Sequence, residues 1–284
     1  MANQQVQQQQ QRQLTPMQHF NQKINDVRMQ EYLSSVLGER KGQFVTTLIS
    51  VVANNAALQQ CEPMSVVYAA LKATSLGLAV DPNLGYAALI PYNNTKEKRV
   101  DCQFQVMKNG FVELAMRSGQ VVSIVNEIVH EGELVRKNKF TGDYEFDEEK
   151  KTSEKVIGYM AYIRLVNGFE KTFYWSKEEC EAHAKRYSQT YKKGYGQWAD
   201  NFDAMALKTV LKLLLSKYAP KSIDMQNAIL ADQATIDKDG KLTYIDGPED
   251  QEQPKTLEEA VDKQKEGMRE RRADGGPTEG DQMP

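Results

Sequence analysis

The chain has few of the residues that build disulfide frameworks and metal centres. Its three cysteines, Cys61, Cys102 and Cys180, are odd in number and form no C-x-x-C pair. This usage argues against a disulfide framework and against a cysteine-rich zinc site. The three histidines are also far apart in sequence. We therefore expect no metal site and no cofactor.

Long apolar runs and nucleotide-binding motifs are missing too. No apolar run approaches the roughly 20 residues that cross a bilayer. The N-terminal sequence MANQQVQQQQQRQ lacks the apolar segment of a signal peptide. We therefore expect a cytoplasmic protein with no membrane partner. The sequence contains no G-x-x-x-x-G-K-[ST], G-x-S-x-G or H-E-x-x-H, which excludes the P-loop NTPases and gives no sign of a known catalytic constellation.

The net charge of −3 conceals a strong asymmetry along the chain. Residues 185–221 hold eight Lys and Arg side chains against two Asp side chains. Residues 231–284 hold 15 acidic side chains against 8 basic ones. A basic block beside an acidic segment is typical of a protein that binds a polyanion.

Hydrophobic spacing predicts an α+β fold, in which antiparallel β-hairpins pack against helices behind an N-terminal helical module. The module covers residues 15–77. Its first helix begins at Thr15, and apolar residues at helical spacing, among them Val27, extend it to Gly38. Residues 78–232 hold the hairpins and the later helices, one of them over about 197–218.

The two ends of the chain have compositions that oppose folding. Residues 1–14 form a Gln-rich arm that we expect to be disordered. Residues 233–284 are acidic and contain few large apolar side chains, so we expect a flexible tail there. The predicted core is therefore residues 15–232.

The helix predicted over 197–218 carries the first sign of a binding surface. At about 100° per residue, Gln197, Asn201, Lys208 and Lys212 fall on one polar stripe. Lysines one turn apart beside amides can follow a phosphate backbone. The alternative interpretation is a solvated helix face without a ligand.

Aromatic rings are interleaved with cations just before this helix. The cations are Lys185, Arg186, Lys192 and Lys193. Bases stack on aromatic rings while cations hold phosphates, which is the usual chemistry of single-strand binding. We expect Tyr191 and Tyr195 to be the exposed rings and Tyr187 and Trp198 to be core anchors.

A weaker polar set follows a predicted strand. Gln103 and Gln105 share one face of that strand, and Lys108 and Asn109 open the next helix, where anions bind readily. Arg117 belongs to the same helix. All five are candidate DNA contacts, the two glutamines as secondary ones.

An acidic stretch leaves an enzymatic alternative open. Asp143, Asp147 and Glu149, with Lys150 beside them, resemble the acidic cores of metal-dependent nucleases. They lie in a hydrophilic segment that we expect to be a loop or mobile hairpin. A solvated charge run is the preferred interpretation of this cluster.

Three longer runs carry a resemblance to a known family. They are SLGLAVDPNLGYAALIPYNN (75–94), CQFQVMKNGFVELAMRSGQVVSI (102–124) and GQWADNFDAMALKTVLKLLLSKYAP (196–220). Together they resemble the RecT family of phage single-strand annealing proteins. The chain departs from the family pattern at Lys108-Asn109-Gly110, which replaces a Tyr-Arg-Gly type sequence, and at Met116-Arg117, which replaces two arginines.

The resemblance implies binding of single-stranded DNA and annealing of complementary strands without ATP, with strand exchange as a related activity. It implies self-association into rings or helical filaments, contact with the annealed duplex, a partner 5′–3′ exonuclease and a prophage context. Annealing needs no covalent chemistry, so we expect no catalytic residues. A passive single-strand coat protein is the remaining alternative. The tail is a candidate docking segment for a host single-strand-binding protein.

Overall fold

A computed structural model of the chain describes residues 14–94 and 97–244. The Gln-rich arm predicted at 1–14 lies outside these ranges except for its last residue. Residues 245–284 of the predicted tail also lie outside them. No helix within the described ranges is long and apolar enough to cross a membrane.

The N-terminal helical region consists of helices α1 (Pro16–Ile24), α2 (Val27–Leu37), α3 (Lys41–Ala53) and α4 (Pro63–Ser75). A capping box fixes the start of α1: the hydroxyl of Thr15 accepts from the backbone N–H of Gln18 at 3.2 Å, and the Gln18 side chain accepts in return from the N–H of Thr15 at 2.9 Å.

The prediction of one continuous first helix is wrong. The chain leaves helical geometry after Ile24, and the carboxylate of Asp26 caps a second helix by accepting from the backbone N–H of Arg28 at 3.0 Å. The break rotates Val27 away from the core, where its side chain is 71% exposed. An Asp at this position starts a new helix because its carboxylate satisfies an N–H group that helix geometry leaves free.

One antiparallel sheet joins two distant parts of the chain. Its strands are β1 (Ala87–Asn94), β2 (Arg99–Val106), β8 (Ala234–Ile236) and β9 (Leu242–Tyr244), in the order β1-β2-β8-β9. The chain is therefore folded beyond residue 232, contrary to the expectation of a flexible tail from residue 233. The side chains of Ala234, Ile236 and Leu242 are buried, which explains why these short segments are ordered.

A second antiparallel sheet contains β3 (Val121–His130), β6 (Val156–Leu165) and β7 (Glu170–Ser176) in the order β3-β6-β7. Between β3 and β6, strands β4 (Leu134–Asn138) and β5 (Asp143–Phe146) pair as a separate hairpin. Part of the acidic stretch expected to be a loop or mobile hairpin is thus the second strand of a hairpin, whose register shifts between Leu134 and Arg136.

The remaining helices lie between and around the sheets. They are α5 (Lys108–Met116), α6 (Lys177–Tyr187), α7 (Gln189–Lys192), α8 (Gln197–Asp200), α9 (Phe202–Tyr218) and α10 (Ile223–Ala231). The helix predicted over 197–218 is interrupted at Asn201, whose φ of −139° and ψ of 58° lie outside the helical region. Helix α9 packs against both β6 and β7 and against α5.

The buried side chains of the described ranges form a continuous hydrophobic core. It joins the N-terminal helices, through residues such as Leu48 and Val66, to Phe104 on β2, Tyr159 on β6 and Leu211 on α9. Antiparallel sheets packed against helices, behind an N-terminal helical region, confirm the predicted α+β class.

A close backbone approach holds α5 against the first sheet. A Cβ atom on Gly110 would lie 2.1 Å from the carbonyl oxygen of Tyr86, so only glycine fits here. The same carbonyl accepts from the backbone N–H of Met107 at 2.9 Å. This contact places the start of α5 beside β2, where several of the predicted DNA contacts lie.

Candidate nucleic-acid interface

A buried carboxylate organises the basic side chains of α9. Asp232 follows α10, and its fully buried carboxylate accepts from Lys212 Nζ at 2.6 Å, from Lys208 Nζ at 3.3 Å and from the backbone N–H of Val106 at 2.9 Å. Lys208 Nζ also lies 3.4 Å from Gln105 Oε1. We call Gln105, Lys208, Lys212 and Asp232 the buried charge cluster. Two lysines therefore share one carboxylate.

The pKa values in this cluster follow from burial and from the opposing charges. Burial lowers the pKa of Lys208, and attraction to Asp232 offsets only part of that effect. For Asp232, burial acts to raise the pKa, but the two lysines and the hydrogen bonds from Lys212 and Val106 outweigh it, so its pKa lies below the ordinary value. Asp232 is therefore ionised at neutral pH.

The prediction that Lys208 lies on an exposed polar stripe is wrong. Its side chain is 3% exposed, because α9 turns it towards β2 and α10 rather than towards solvent. Lys212 is partly accessible, with 27% of its side chain exposed. Sequence reasoning missed Asp232, since nothing in the local pattern connects it to lysines more than 19 residues away.

A cavity of about 200 Å³ opens beside this cluster. Its lining includes Lys208, Lys212 and Asp232 together with His183 and Tyr187 from α6. Burial, followed by the positive charges of Lys212 and Arg186, lowers the pKa of His183 to about 4. The imidazole is therefore neutral at physiological pH and adds polarity to the cavity without adding charge.

The four cations predicted around α6 and α7 are all exposed. Lys185 Nζ pairs with Glu181 at 3.1 Å, and the guanidinium of Arg186 lies 5.4 Å from the ring centroid of Tyr187. Arg186, Lys192 and Lys193 form no ion pair with any residue that the structure describes. We call residues 185–193 the exposed basic segment. Because Tyr187 lines the cavity, this segment borders the cavity of the buried charge cluster.

The aromatic rings of this region differ from the prediction in two respects. Tyr187, expected to be a core anchor, is only partly buried and lines the cavity beside the buried charge cluster instead of packing in the hydrophobic core. Tyr191 is half-buried, with ring centroids 6.4 Å from Trp198 and 6.2 Å from Phe202. The expectation that Tyr191 is exposed is therefore wrong, because those two rings cover it. Tyr195 is 52% exposed, as expected, and Trp198 is a buried anchor at 6% exposure.

The side chains predicted on β2 and α5 all hold other parts of the fold. Gln103 donates to the backbone carbonyl of Gln233. Lys108 Nζ donates to the Asn126 carbonyl at 3.4 Å, and Asn109 Nδ2 donates to the Leu84 carbonyl at 3.0 Å. Both glutamines are buried, Gln103 with 5% and Gln105 with 8% exposed.

Arg117 stabilises the end of α4. Its guanidinium donates to the carbonyls of Leu76 and Gly77, both at 2.8 Å, while its Nε pairs with Glu113 at 3.0 Å. Carbonyls at a helix C-terminus lack partners within the helix, and a cation there also interacts favourably with the negative end of the helix dipole. All five side chains predicted on β2 and α5 therefore have structural contacts within the chain.

The acidic residues of the nuclease alternative do not converge. Asp143 starts β5, and Asp147 caps a short turn by accepting from the N–H of Glu149 at 3.1 Å. Within residues 14–94 and 97–244, no group of three or more His, Cys, Asp or Glu side chains is placed to hold a metal ion. This part of the chain therefore offers the nuclease interpretation no ligand set.

Comparisons with known proteins give a consistent assignment. The sequence pattern of the RecT family matches residues 42–245. The chain is 43% identical over 203 residues to the uncharacterized protein YqaK of Bacillus subtilis (strain 168), covering 72% of this chain and 68% of that one. It is 30% identical over 249 residues to Protein RecT of Escherichia coli (strain K12), covering 80% of this chain and 88% of that one.

The matched region runs from α3 to the end of β9, so it includes the buried charge cluster, the exposed basic segment and strands β8 and β9. These matches confirm the resemblance seen in the sequence and support a role in DNA recombination and annealing. The chain belongs to the RecT family.

Proposed function

We propose that the protein binds single-stranded DNA along the exposed basic segment and anneals complementary strands without ATP in phage-type recombination. The observation that carries the proposal is the unbalanced positive charge where this segment meets the buried charge cluster. Arg186, Lys192 and Lys193 form no ion pair with a described residue. Cations of this kind hold phosphates without reading the base sequence.

We divide the predicted site residues between two roles. The DNA contacts of the proposal are Lys185, Arg186, Lys192, Lys193 and, through its exposed portion, Lys212. Gln103, Gln105, Lys108, Asn109, Arg117 and Lys208 keep the surface in place through the intrachain bonds described above. Tyr191 packs on the rings of Trp198 and Phe202 and thereby holds the segment against the rest of the fold.

The proposed role includes partners. Annealing brings two strands to one surface, so the protein would also contact the nascent duplex, and a row of copies would extend that surface along the DNA as a ring or helical filament. An exonuclease that exposes the strand is the expected functional partner in the cytoplasm. Residues 245–284 are the proposed docking segment for a host single-strand-binding protein.

Fluorescence-quench annealing of complementary oligonucleotides, in the absence of any nucleotide, tests this function. We expect the wild-type protein to accelerate pairing well beyond the protein-free rate. A passive coat protein would bind one strand and leave pairing unchanged or slower. If the wild-type protein neither binds single strands nor accelerates pairing, the proposed function is wrong.

A matched pair of variants connects the activity to the surface. Lys192→Ala with Lys193→Ala should slow annealing at moderate salt, since it removes two unpaired cations. Lys150→Ala with Lys155→Ala makes the same change of net charge in lysines that are already paired with Asp147 and Glu131. The second variant should anneal like the wild type. Equal losses in both would indicate a general charge effect rather than this surface.

A further inference from the structure

The tip of the β4–β5 hairpin carries an unusually exposed aromatic ring. Phe140 is 88% exposed, the highest value among the large hydrophobic side chains of the described residues. An isolated exposed apolar residue is ordinary on a protein surface. The surroundings of Phe140 are unusual, because hydrogen bonds hold its turn and its neighbours are cations.

Hydrogen bonds hold the turn that presents the ring. The side-chain oxygen of Asn138 accepts from the backbone N–H groups of Phe140 at 3.0 Å and Thr141 at 3.3 Å. The N–H of Gly142 donates to the Asn138 carbonyl at 2.8 Å, and Lys171 Nζ donates to the Thr141 carbonyl at 3.1 Å. The ring is therefore presented on a defined turn, which lowers the entropy cost of any contact it makes.

The base of the hairpin is anchored to the second sheet. The rings of Tyr144 and Phe146 lie with their centroids 5.6 and 5.9 Å from the ring of Tyr174 on β7. These contacts keep the hairpin beside the sheet while its tip stays in solvent.

One cation lies over the exposed ring, and two more lie on the strand that leads to it. Lys139 Nζ lies 5.0 Å from the centroid of Phe140, and Arg136 and Lys137 are exposed on β4. None of the three forms an ion pair with a residue that the structure describes. The acidic neighbour Asp143 instead lies 3.9 Å from Lys171. Lys137 Nζ lies 5.6 Å from the ring centroid of Tyr174. An apolar pocket on a second protein copy would leave Arg136 and Lys139 without an opposite charge, whereas a nucleic-acid strand supplies a phosphate beside each base.

We infer that this hairpin tip, residues 136–143, is a second contact for single-stranded DNA, in which Phe140 stacks on a base and the neighbouring cations hold the flanking phosphates. The inference rests on the proposed function and adds to it a contact outside the exposed basic segment. Stacking on an aromatic ring tolerates any base, which suits a protein that must pair strands of any sequence.

The test measures equilibrium binding of a labelled single strand by fluorescence anisotropy at fixed salt. The variants are Phe140→Ala, Phe140→Leu and Phe140→Trp, with Ile223→Ala as a matched control, since Ile223 is 77% exposed on another element. Each protein is also titrated with a strand of the same length made of abasic nucleotides. Sedimentation of the DNA-free proteins reports self-association, and thermal unfolding checks that the exposed substitutions leave the fold intact.

We expect Phe140→Ala and Phe140→Leu to weaken binding of the normal strand by about 5- to 150-fold, the range that base stacking gives on alanine substitution. Phe140→Trp and Ile223→Ala should bind like the wild type. On the abasic strand all proteins should bind alike, because there is no base to stack.

Three results would overturn the inference. Phe140→Ala could bind the normal strand as tightly as the wild type. It could lose the same factor on the abasic strand, which would mean that no base is involved. Phe140→Leu could restore binding while Phe140→Ala changes the sedimentation of DNA-free protein, which would assign the ring to a second copy of the chain. If the wild-type protein binds neither strand, the proposed function fails together with this inference.

Discussion

The buried charge cluster and the exposed basic segment both contain lysines, and the sequence placed those lysines in one basic block over residues 185–221. The structure separates them. Lys208 is buried against Asp232, whereas Lys192 and Lys193 are exposed without an ion-pair partner among the described residues. Positive charge therefore has two uses here: the inner lysines join α9 to α10 and β2, and the outer cations remain available to a polyanion.

The difference between the regions is energetic. Removing one member of a buried ion pair leaves the other charge without compensation in a medium of low dielectric constant, which is strongly destabilising. Removing an exposed cation costs little stability, because water solvates what remains. Substitutions in the two regions should therefore separate loss of folding from loss of binding.

Asp232→Asn should give the largest effect. It leaves the ammonium groups of Lys208 and Lys212 facing a neutral amide, so we expect the free energy of unfolding in urea to fall by about 3–5 kcal/mol. Asp224→Asn on the same helix is the control, since Asp224 is exposed and should cost less than about 1 kcal/mol. Adding Lys208→Met to Asp232→Asn should recover part of the loss. Equal, small effects of both single substitutions would show that the inner lysines are not held as described.

The cavity between the regions should give stability a pH dependence. His183 has a folded-state pKa of about 4 against an ordinary value of 6.5. Between these values the unfolded chain binds a proton that the folded chain does not. Stability therefore falls as pH falls through this window, by about 2 kcal/mol between pH 7.5 and 5. His183→Phe should remove this component from urea unfolding curves. Identical pH dependence in variant and wild type would contradict the assigned environment of the imidazole.

Tyr191→Ala tests whether this aromatic ring serves the stability of the fold or the binding of DNA. Because Tyr191 packs on Trp198 and Phe202, we expect a loss of about 1–3 kcal/mol in stability rather than a selective loss of DNA affinity. Tyr191→Phe keeps the ring and should fold like the wild type. Tyr195→Ala removes an exposed ring and should leave stability unchanged. If Tyr191→Ala kept normal stability but bound single strands more weakly, Tyr191 would belong to the binding surface after all.

Much of the secondary structure could be predicted from local signals. The helical module predicted for residues 15–77 is observed as helices α1 to α4, and Ser176 and Glu179 form a capping box that starts α6. Alternating or helical spacing is sufficient for such elements because one of their faces meets the core. The breaks at Asn25 and Asn201 were missed, since a helical pattern that continues on both sides hides a local change of direction.

The site was less predictable, because it depends on contacts between distant residues. Charge counting identified Lys208 and Lys212, but burial of Lys208 is decided by Asp232, 24 residues further along the chain. The same limit applies to Tyr191, whose exposure depends on how Trp198 and Phe202 fold over it. The fold past residue 232 was missed because β8 is stabilised by pairing with β2, far away in sequence, and β9 by pairing with β8.

The salt dependence of single-strand affinity tests the central claim most directly. Arg186→Ala, Lys192→Ala and Lys193→Ala, combined in one protein, should reduce the slope of log K against log[salt] by about 2, from about 0.7 per phosphate contact. The free energy of unfolding should stay within about 0.5 kcal/mol of the wild-type value. An unchanged salt slope in this triple variant would contradict the account, since the outer cations would then not be the groups that hold the strand.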